Sequence, residues 1–118
     1  MPDDPISEAV EVEGAEAPGA FVVTCDHASN AVPAWVGGGD LGLPPEDMGR
    51  HIAWDVGAAG LARALARRLG SPCVLARFSR LVMDPNRGEE DPTLLMRLYD
   101  GTVIPGNRHA GEAERERR

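Results

Sequence analysis

The stretch AFVVTCDHASN, residues 20–30, passes from an apolar, β-branched run directly into a cluster of polar side chains. The run from Ala20 to Cys25 has the length and composition of a short strand buried on both faces. The residues after it offer a carboxylate, an imidazole, a hydroxyl and an amide. Because open parallel sheets bind ligands outside the C-terminal ends of their strands, this stretch predicts both a fold and the position of a site.

A helix and a second strand follow in the order that a parallel sheet requires. The helical pattern begins near Pro45 and is clearest over residues 54–69, after which Gly70 is well placed to end the helix. Apolar side chains recur there at three and four positions: Ala58, Leu61, Leu65 and Leu69. Residues 73–78, CVLARF, have the pattern of a second strand. A strand, a helix and a strand predict a crossover between two parallel strands, hence an α/β fold.

The charge of the chain is concentrated at its start. Acidic residues outnumber basic ones 19 to 12, for a net charge of -7. Residues 1–18 carry many of the acids, no base, and several Pro and Gly without a buried period. We therefore predict a disordered acidic tail over residues 1–18 and one domain over residues 19–118. The rest of the chain is nearly neutral, so it offers no basic surface to the phosphates of a nucleic acid.

Length, cysteine use and hydropathy narrow the class of protein further. A chain of 118 residues suits one modest core. Its two Cys form neither a CxxC pair nor a disulfide framework, so a reducing cytoplasm is the expected location. No apolar run approaches the roughly 18 residues that span a membrane. We expect a cytoplasmic protein with no nucleic-acid partner and no membrane partner.

His27 is the strongest single candidate in the first polar cluster. A neutral imidazole at a strand end is a common zinc ligand, and Asp26 or Asn30 is close enough in sequence to orient it. The alternative is a histidine that only bonds loop backbone. For Cys25 we expect a small buried residue rather than a nucleophile, because neighbours on a strand point to opposite faces.

Asp55 and His51 form a second candidate pair, in the stretch RHIAWD. They are four residues apart and would share one face of a helix. Such a pair is suited to donate two metal ligands; alternatively, Asp55 joins His27 across a cleft. The alternative is a carboxylate favoured by the positive end of the helix dipole, with His51 as its local partner.

The second strand ends in another polar cluster, FSRLVMDPNR. A guanidinium grips a carboxylate through two parallel bonds and a neighbouring Asn adds a donor, so Arg80, Asn86 and Arg87 make a plausible clamp for a substrate carboxylate. The alternative is a set of salt bridges to nearby acids. The acids within reach in the sequence are Asp84, Glu89, Glu90 and Asp91. Spacing alone does not choose between the two.

Four motifs together closely resemble the N-formylglutamate amidohydrolase family over roughly residues 20–108. They are CDHASN, RHIAWDVGAAGLARAL, FSRLVMDPNR and YDGTVIPGNR, in that order. The resemblance implies a three-layer α/β fold of the phosphorylase/hydrolase type, with a mostly parallel sheet similar to that of zinc-dependent exopeptidases. It also implies hydrolysis of the carbon–nitrogen amide bond in a small N-acyl amino acid such as N-formylglutamate.

The resemblance also implies roles for single residues. His27 matches the first metal ligand, with zinc as the expected metal, and Asp55 matches a second ligand or a catalytic carboxylate. Asp26 is the other candidate for the catalytic carboxylate. The residues expected to hold the substrate, a small molecule with a carboxylate, are Arg80, Asn86, Arg87 and Asn30.

Members of that family are considerably longer than this chain. The resemblance therefore covers an N-terminal portion, and we expect a truncated fold, an incomplete site and an uncovered core face that favours self-association. The alternative to an enzyme is a non-catalytic module that binds a carboxylate, or an inactive fragment of such an enzyme.

Overall fold

The computed structural model describes residues 9–118, in which a three-stranded sheet organises the first core. Its strands are β1 (Val10–Glu13), β2 (Val23–Cys25) and β3 (Cys73–Ala76), in the order β1-β3-β2. β2 runs parallel to β3, whereas β1 runs antiparallel along the other edge of β3. β3 is therefore the central strand.

The pairing of β2 with β3 confirms the parallel pair that the sequence predicts. The expectation of a mostly parallel sheet is wrong for the described residues, because β1 contributes one of the two pairings and is antiparallel. The fold is accordingly α/β with a mixed sheet. The three-layer arrangement and the truncation stay predictions.

The predicted disordered tail over residues 1–18 is wrong where β1 lies; residues 1–8 are outside the described part of the chain. Along β1, two valines alternate with Glu11 and Glu13. Arg63 binds both acids, with Nε donating to Glu13 Oε2 at 2.5 Å and Nη2 donating to Glu11 Oε2 at 3.4 Å. Glu11 and Glu13 therefore lie on the same face of β1, the face that contacts Arg63. This is why acids and valines alternate along the strand.

The α-helices that follow β1 in the described part of the chain are α1 (Pro45–Met48), α2 (Ala58–Leu69) and α3 (Glu112–Arg117). Turns occupy residues 49–57 between α1 and α2, so His51 and Asp55 do not share a helix face, and that prediction is wrong. A glycine marks each end of this turn segment: Gly49 follows α1, and Gly57, with φ 85°, precedes α2. None of the helices in the described part has the length and apolar character needed to cross a membrane.

Helix α2 packs on β2 and β3 through small side chains. Ala62 and Ala66 are buried against the sheet, whereas Leu61, Leu65 and Leu69 are 72%, 47% and 40% exposed. Alanine allows the helix axis to approach the strands closely. The leucine repeat that identifies the helix in the sequence therefore lies on its outer face. Gly70 ends the helix in the left-handed conformation, as predicted.

A second core lies under the loops that follow β2 and β3. Its buried apolar residues are Val36, Leu41, Ala53, Leu81, Val82, Met96 and Ile104. A hairpin of β4 (Leu98–Tyr99) and β5 (Thr102–Val103) packs beside this core through Tyr99. Asp100 and Gly101 join its strands with φ of 47° and 78°, the left-handed pair that suits a two-residue hairpin turn.

Candidate active site

His27 is the centre of the candidate site. It is the second residue after β2 and is buried, and each of its ring nitrogens faces a carboxylate. Nε2 lies 2.7 Å from Asp84 Oδ1, and Nδ1 lies 3.3 Å from Asp55 Oδ2. The end of β2, the turn before α2 and the loop after β3 meet at this one imidazole.

Asp84 is fully buried and is held by several donors. Arg80 Nη2 donates to Oδ2 at 2.8 Å, Arg87 Nε donates to Oδ2 at 3.2 Å, and the backbone N–H of Asn86 donates to Oδ1 at 2.9 Å. Burial by itself raises the pKa of Asp84, but the hydrogen bonds from His27, Asn86 and Arg80 outweigh it and lower the pKa below its usual range. Asp84 is therefore an anion inside the protein.

The two carboxylates stand in different surroundings. Asp84 is sealed and neutralised by arginines, whereas the side chain of Asp55 is 53% exposed. The short, buried contact to Asp84 fixes a proton on His27 Nε2. Nδ1 and Asp55 Oδ2 then face each other as two electron-rich atoms, an arrangement that is favourable only with a proton or a metal cation between them.

The separation of these two atoms allows a test of whether a metal fits. Two ligands of a tetrahedral zinc, with bonds of about 2.0–2.2 Å, stand roughly 3.4 Å apart. His27 Nδ1 and Asp55 Oδ2 are 3.3 Å apart, so they fit as two ligands of one zinc. Within residues 9–118, no group of three or more His, Cys, Asp or Glu side chains is arranged to hold a metal ion. The described residues thus fit two ligands of such a site.

Arg80 lies between the two carboxylates. Its Nε and Nη2 donate to Asp84, and its Nη1 lies 4.0 Å from Asp55 Oδ1. The guanidinium also lies over the ring of Tyr99 as a cation–π pair, with its central carbon 5.1 Å from the ring centroid. Arg87 is anchored on its other side, where Nη1 donates to Thr93 Oγ1.

The comparison with family models decides the identity of the chain. Residues 19–118 match the model described as N-formylglutamate amidohydrolase. The chain belongs to the N-formylglutamate amidohydrolase family.

A solved structure supports this assignment. The crystal structure of gene product Atu2144 from Agrobacterium tumefaciens is similar, with a TM-score of 0.86 and 41% sequence identity. The match covers 92% of this chain and 42% of that chain, so this chain spans less than half the length of the solved protein. No curated protein sequence matches the chain.

The residues that meet at His27 all come from the sequence motifs that resemble the amidohydrolase family. Other described residues of the same motifs make no hydrogen bond to its imidazole. Asp26 is exposed and makes no side-chain hydrogen bond to another described residue. Asn30 donates from Nδ2 to the Met48 carbonyl at 2.9 Å, which ties its amide to α1. His51 pairs with Asp100 at 2.9 Å rather than with Asp55.

The sequence predicts that Cys25 is a small buried residue rather than a nucleophile. Cys25 is buried, and burial raises the pKa of its thiol, as suits a small packing residue.

Arg80 and Arg87 contact Asp84, which is the salt-bridge alternative that the sequence leaves open. These contacts leave a substrate-binding role untested, because each guanidinium has further N–H donors. Asn86 contributes its backbone N–H to Asp84, and the residue is exposed.

Sequence reasoning treats Asp84 only as a salt-bridge partner and misses its contact with His27. Its spacing of four from Arg80 and three from Arg87 predicts the ion pairs. Its contact with His27 joins residues 57 positions apart, so no local sequence pattern predicts it. The only signal is that both residues follow predicted strands of one parallel pair.

Proposed function

We propose that this chain carries the N-terminal part of an amidohydrolase site that cleaves the carbon–nitrogen bond of a small N-acyl amino acid such as N-formylglutamate. The observation that carries the proposal is the arrangement at His27, with Asp84 behind Nε2 and Asp55 in front of Nδ1. Membership of the N-formylglutamate amidohydrolase family supports the same chemistry.

We propose a divalent metal, zinc by preference, as the cofactor of this site. His27 Nδ1 and Asp55 would supply two of its ligands, and Asp84 would keep His27 in the tautomer that leaves Nδ1 free. A metal bound there would polarise the amide carbonyl and lower the pKa of a bound water towards about 7. A catalytic zinc usually has three protein ligands, so a further ligand is required from outside the pair.

The carboxylates Asp55 and Asp26 are the candidates for moving the proton. The oxygen of water forms a bond to the carbonyl carbon, the carbon–nitrogen bond breaks, and the leaving nitrogen takes the proton that the water loses. Asp55 serves either as the second metal ligand or as the group that holds this proton, and for the proton it is favoured over Asp26 because it faces His27 and is half exposed to incoming water. Asp26 adjoins His27 in the chain but projects into solvent.

Arg80, Arg87 and Asn86 are proposed to bind the substrate's carboxylate. Arg80 Nη1 makes no hydrogen bond to a described residue and stands on the Asp55 side of the guanidinium. Arg87 and Asn86 lie beside it in the loop after β3. Asn30 is proposed to bind a different part of the substrate: its side-chain oxygen would accept a hydrogen bond from the substrate's amide N–H, since its amide nitrogen donates to the Met48 carbonyl of α1.

A second candidate is a module that binds a carboxylate without hydrolysing it. The favouring observation is that donors for an anion are present on Arg80, whereas only two metal ligands meet in the described residues. Binding of N-formylglutamate without turnover would favour this candidate.

Metal content and hydrolysis together test the proposal. The wild-type chain, His27→Ala and the matched control His109→Ala are dialysed against zinc, and bound metal and release of formate from N-formylglutamate are measured. His109 is exposed and lies outside the site. We expect zinc retention in the wild type and the control and its loss in His27→Ala. Equal zinc content in all three would remove His27 from the ligands, and formate release that persists in His27→Ala would contradict the proposed site.

A further inference from the structure

The hairpin of β4 and β5 brings an aromatic ring to the guanidinium of Arg80. The central guanidinium carbon of Arg80 lies over the ring of Tyr99, and the imidazole of His51 meets the same ring edge-on at 6.1 Å with an interplanar angle of 76°. Two contacts fix the hairpin there: His51 pairs with Asp100 at 2.9 Å, and Arg50 donates to Thr102 Oγ1 at 2.9 Å. The position of the Tyr99 ring is therefore determined from several sides.

Three features together define how Arg80 is oriented. Its Nε and Nη2 are directed at Asp84, and its central carbon lies over the face of the Tyr99 ring. Its Nη1 makes no hydrogen bond to a described residue. Because no fully buried side-chain nitrogen or oxygen of the described residues lacks a partner, Nη1 keeps some contact with solvent. Its two N–H groups are thus available as donors beside Asp55, whose Oδ1 lies 4.0 Å away.

Asp84 by itself does not fix this orientation. Both Arg80 donors reach the same oxygen, Oδ2, so this contact restrains the guanidinium less than two parallel bonds to both carboxylate oxygens would. The ring of Tyr99 adds a second restraint, since a cation is attracted to the face of an aromatic ring. Leucine in place of Tyr99 would fill space without that attraction.

We propose that Tyr99 is a positioning residue that holds Arg80 Nη1 toward the mouth of the site, where it binds the carboxylate of the substrate. The carboxylate part of this inference rests on the proposed function, whereas the orientation of Arg80 does not. The phenol oxygen has no part in it, because the ring face provides the contact.

The test compares Tyr99→Phe, which keeps the ring, with Tyr99→Leu, which removes it. The first readout is the NMR signal of Arg80 Nε–Hε, which a stacked ring shifts upfield. We expect the shift in the wild type and in Tyr99→Phe and its loss in Tyr99→Leu. An Arg80 signal without ring-current shift in the wild type overturns the inference, and that measurement needs no variant to fold.

The second readout is the affinity for N-formylglutamate, measured by titration and, where turnover is present, as KM. We expect Tyr99→Leu to weaken binding about tenfold with little change in kcat, and Tyr99→Phe to behave as wild type. Loss of the Arg80 shift in Tyr99→Leu with unchanged affinity would overturn the carboxylate role. If the wild type binds no N-formylglutamate while its Arg80 shift is present, the proposed function fails and the orientation by Tyr99 stands.

Discussion

His27 Nε2 lies 2.7 Å from Asp84 Oδ1, and both side chains are buried. This contact joins the segments that follow two parallel strands, β2 and β3, through a single hydrogen bond. Asp84 stays ionised there because two arginines and a backbone N–H share its charge. The Asp84 carboxylate thereby fixes the imidazole through Nε2, and the other ring nitrogen, Nδ1, faces Asp55.

Replacement of Asp84 by Asn should destabilise the fold strongly. Asn keeps the shape but removes the charge, which leaves Arg80 and Arg87 without their shared anion. Breaking a buried ion pair in this way costs about 3–5 kcal/mol of unfolding free energy. Urea denaturation of Asp84→Asn measures it, with Glu90→Gln, an exposed acid of the same loop, as the control. Equal midpoints for both variants would show that Asp84 contributes little to stability.

Stability should also depend on pH through Asp84. Its pKa is lower in the folded protein than the ordinary value of 3.8, so the stabilisation is fully present above that value. It is lost as the pH falls below 3.8 towards the folded-state pKa, because the unfolded chain then binds the proton more readily. Urea unfolding between about pH 2 and pH 6 should show this fall in the wild type and a shallower one in Asp84→Asn. Parallel curves for the two proteins would argue against it.

Arg87→Ala should weaken substrate binding more than it weakens the fold. Arg80 continues to neutralise Asp84 in this variant, whereas a substrate carboxylate loses a charged contact worth about 2–5 kcal/mol in the transition state. Activity and melting temperature are measured on Arg87→Ala and on the exposed control Arg108→Ala. Normal affinity for N-formylglutamate with a large fall in melting temperature would identify Arg87 as a structural ion pair.

The two faces of α2 should differ in how strongly the same new side chain destabilises the fold. Leu65→Gln replaces a residue that is 47% exposed, so we expect a change within about 0.5 kcal/mol and higher solubility. Ala66→Gln forces a long polar side chain between the helix and the sheet and should cost about 1–3 kcal/mol or more. Chemical denaturation of both variants checks this, and a larger loss for Leu65→Gln would mean that the helix packs through its leucines.

The sequence predicts local elements of this protein better than it predicts their partners. The parallel pair follows from the order of strand, helix and strand, and Gly70 marks the end of α2. The strand β1 is missed because its acids are matched by Arg63, 50 positions from Glu13. The buried face of α2 is also missed, since alanine is less apolar than leucine yet packs closer to the strands.

In the candidate site, too, single residues are predictable from the sequence, whereas contacts between distant residues are not. His27 and Asp55 are recognisable because each stands in a motif and carries a side chain suited to metals. The contact between His27 and Asp84 is not, because it depends on how two strand ends meet. Tyr99 lies still further away, in a hairpin whose position is set by contacts of Arg50 and His51.

The central place of β3 has a consequence for the order in which the molecule opens. β3 is bonded to a neighbour on each side, whereas β1 and β2 are each bonded on one side among the described strands. In deuterated water we expect the amides of β3 to exchange last and those of β1 to exchange early. His27 follows β2 and Asp84 follows β3, so β1 is able to detach while their hydrogen bond persists. Local opening of β1 therefore leaves the site assembled, whereas separation of β2 from β3 dismantles it.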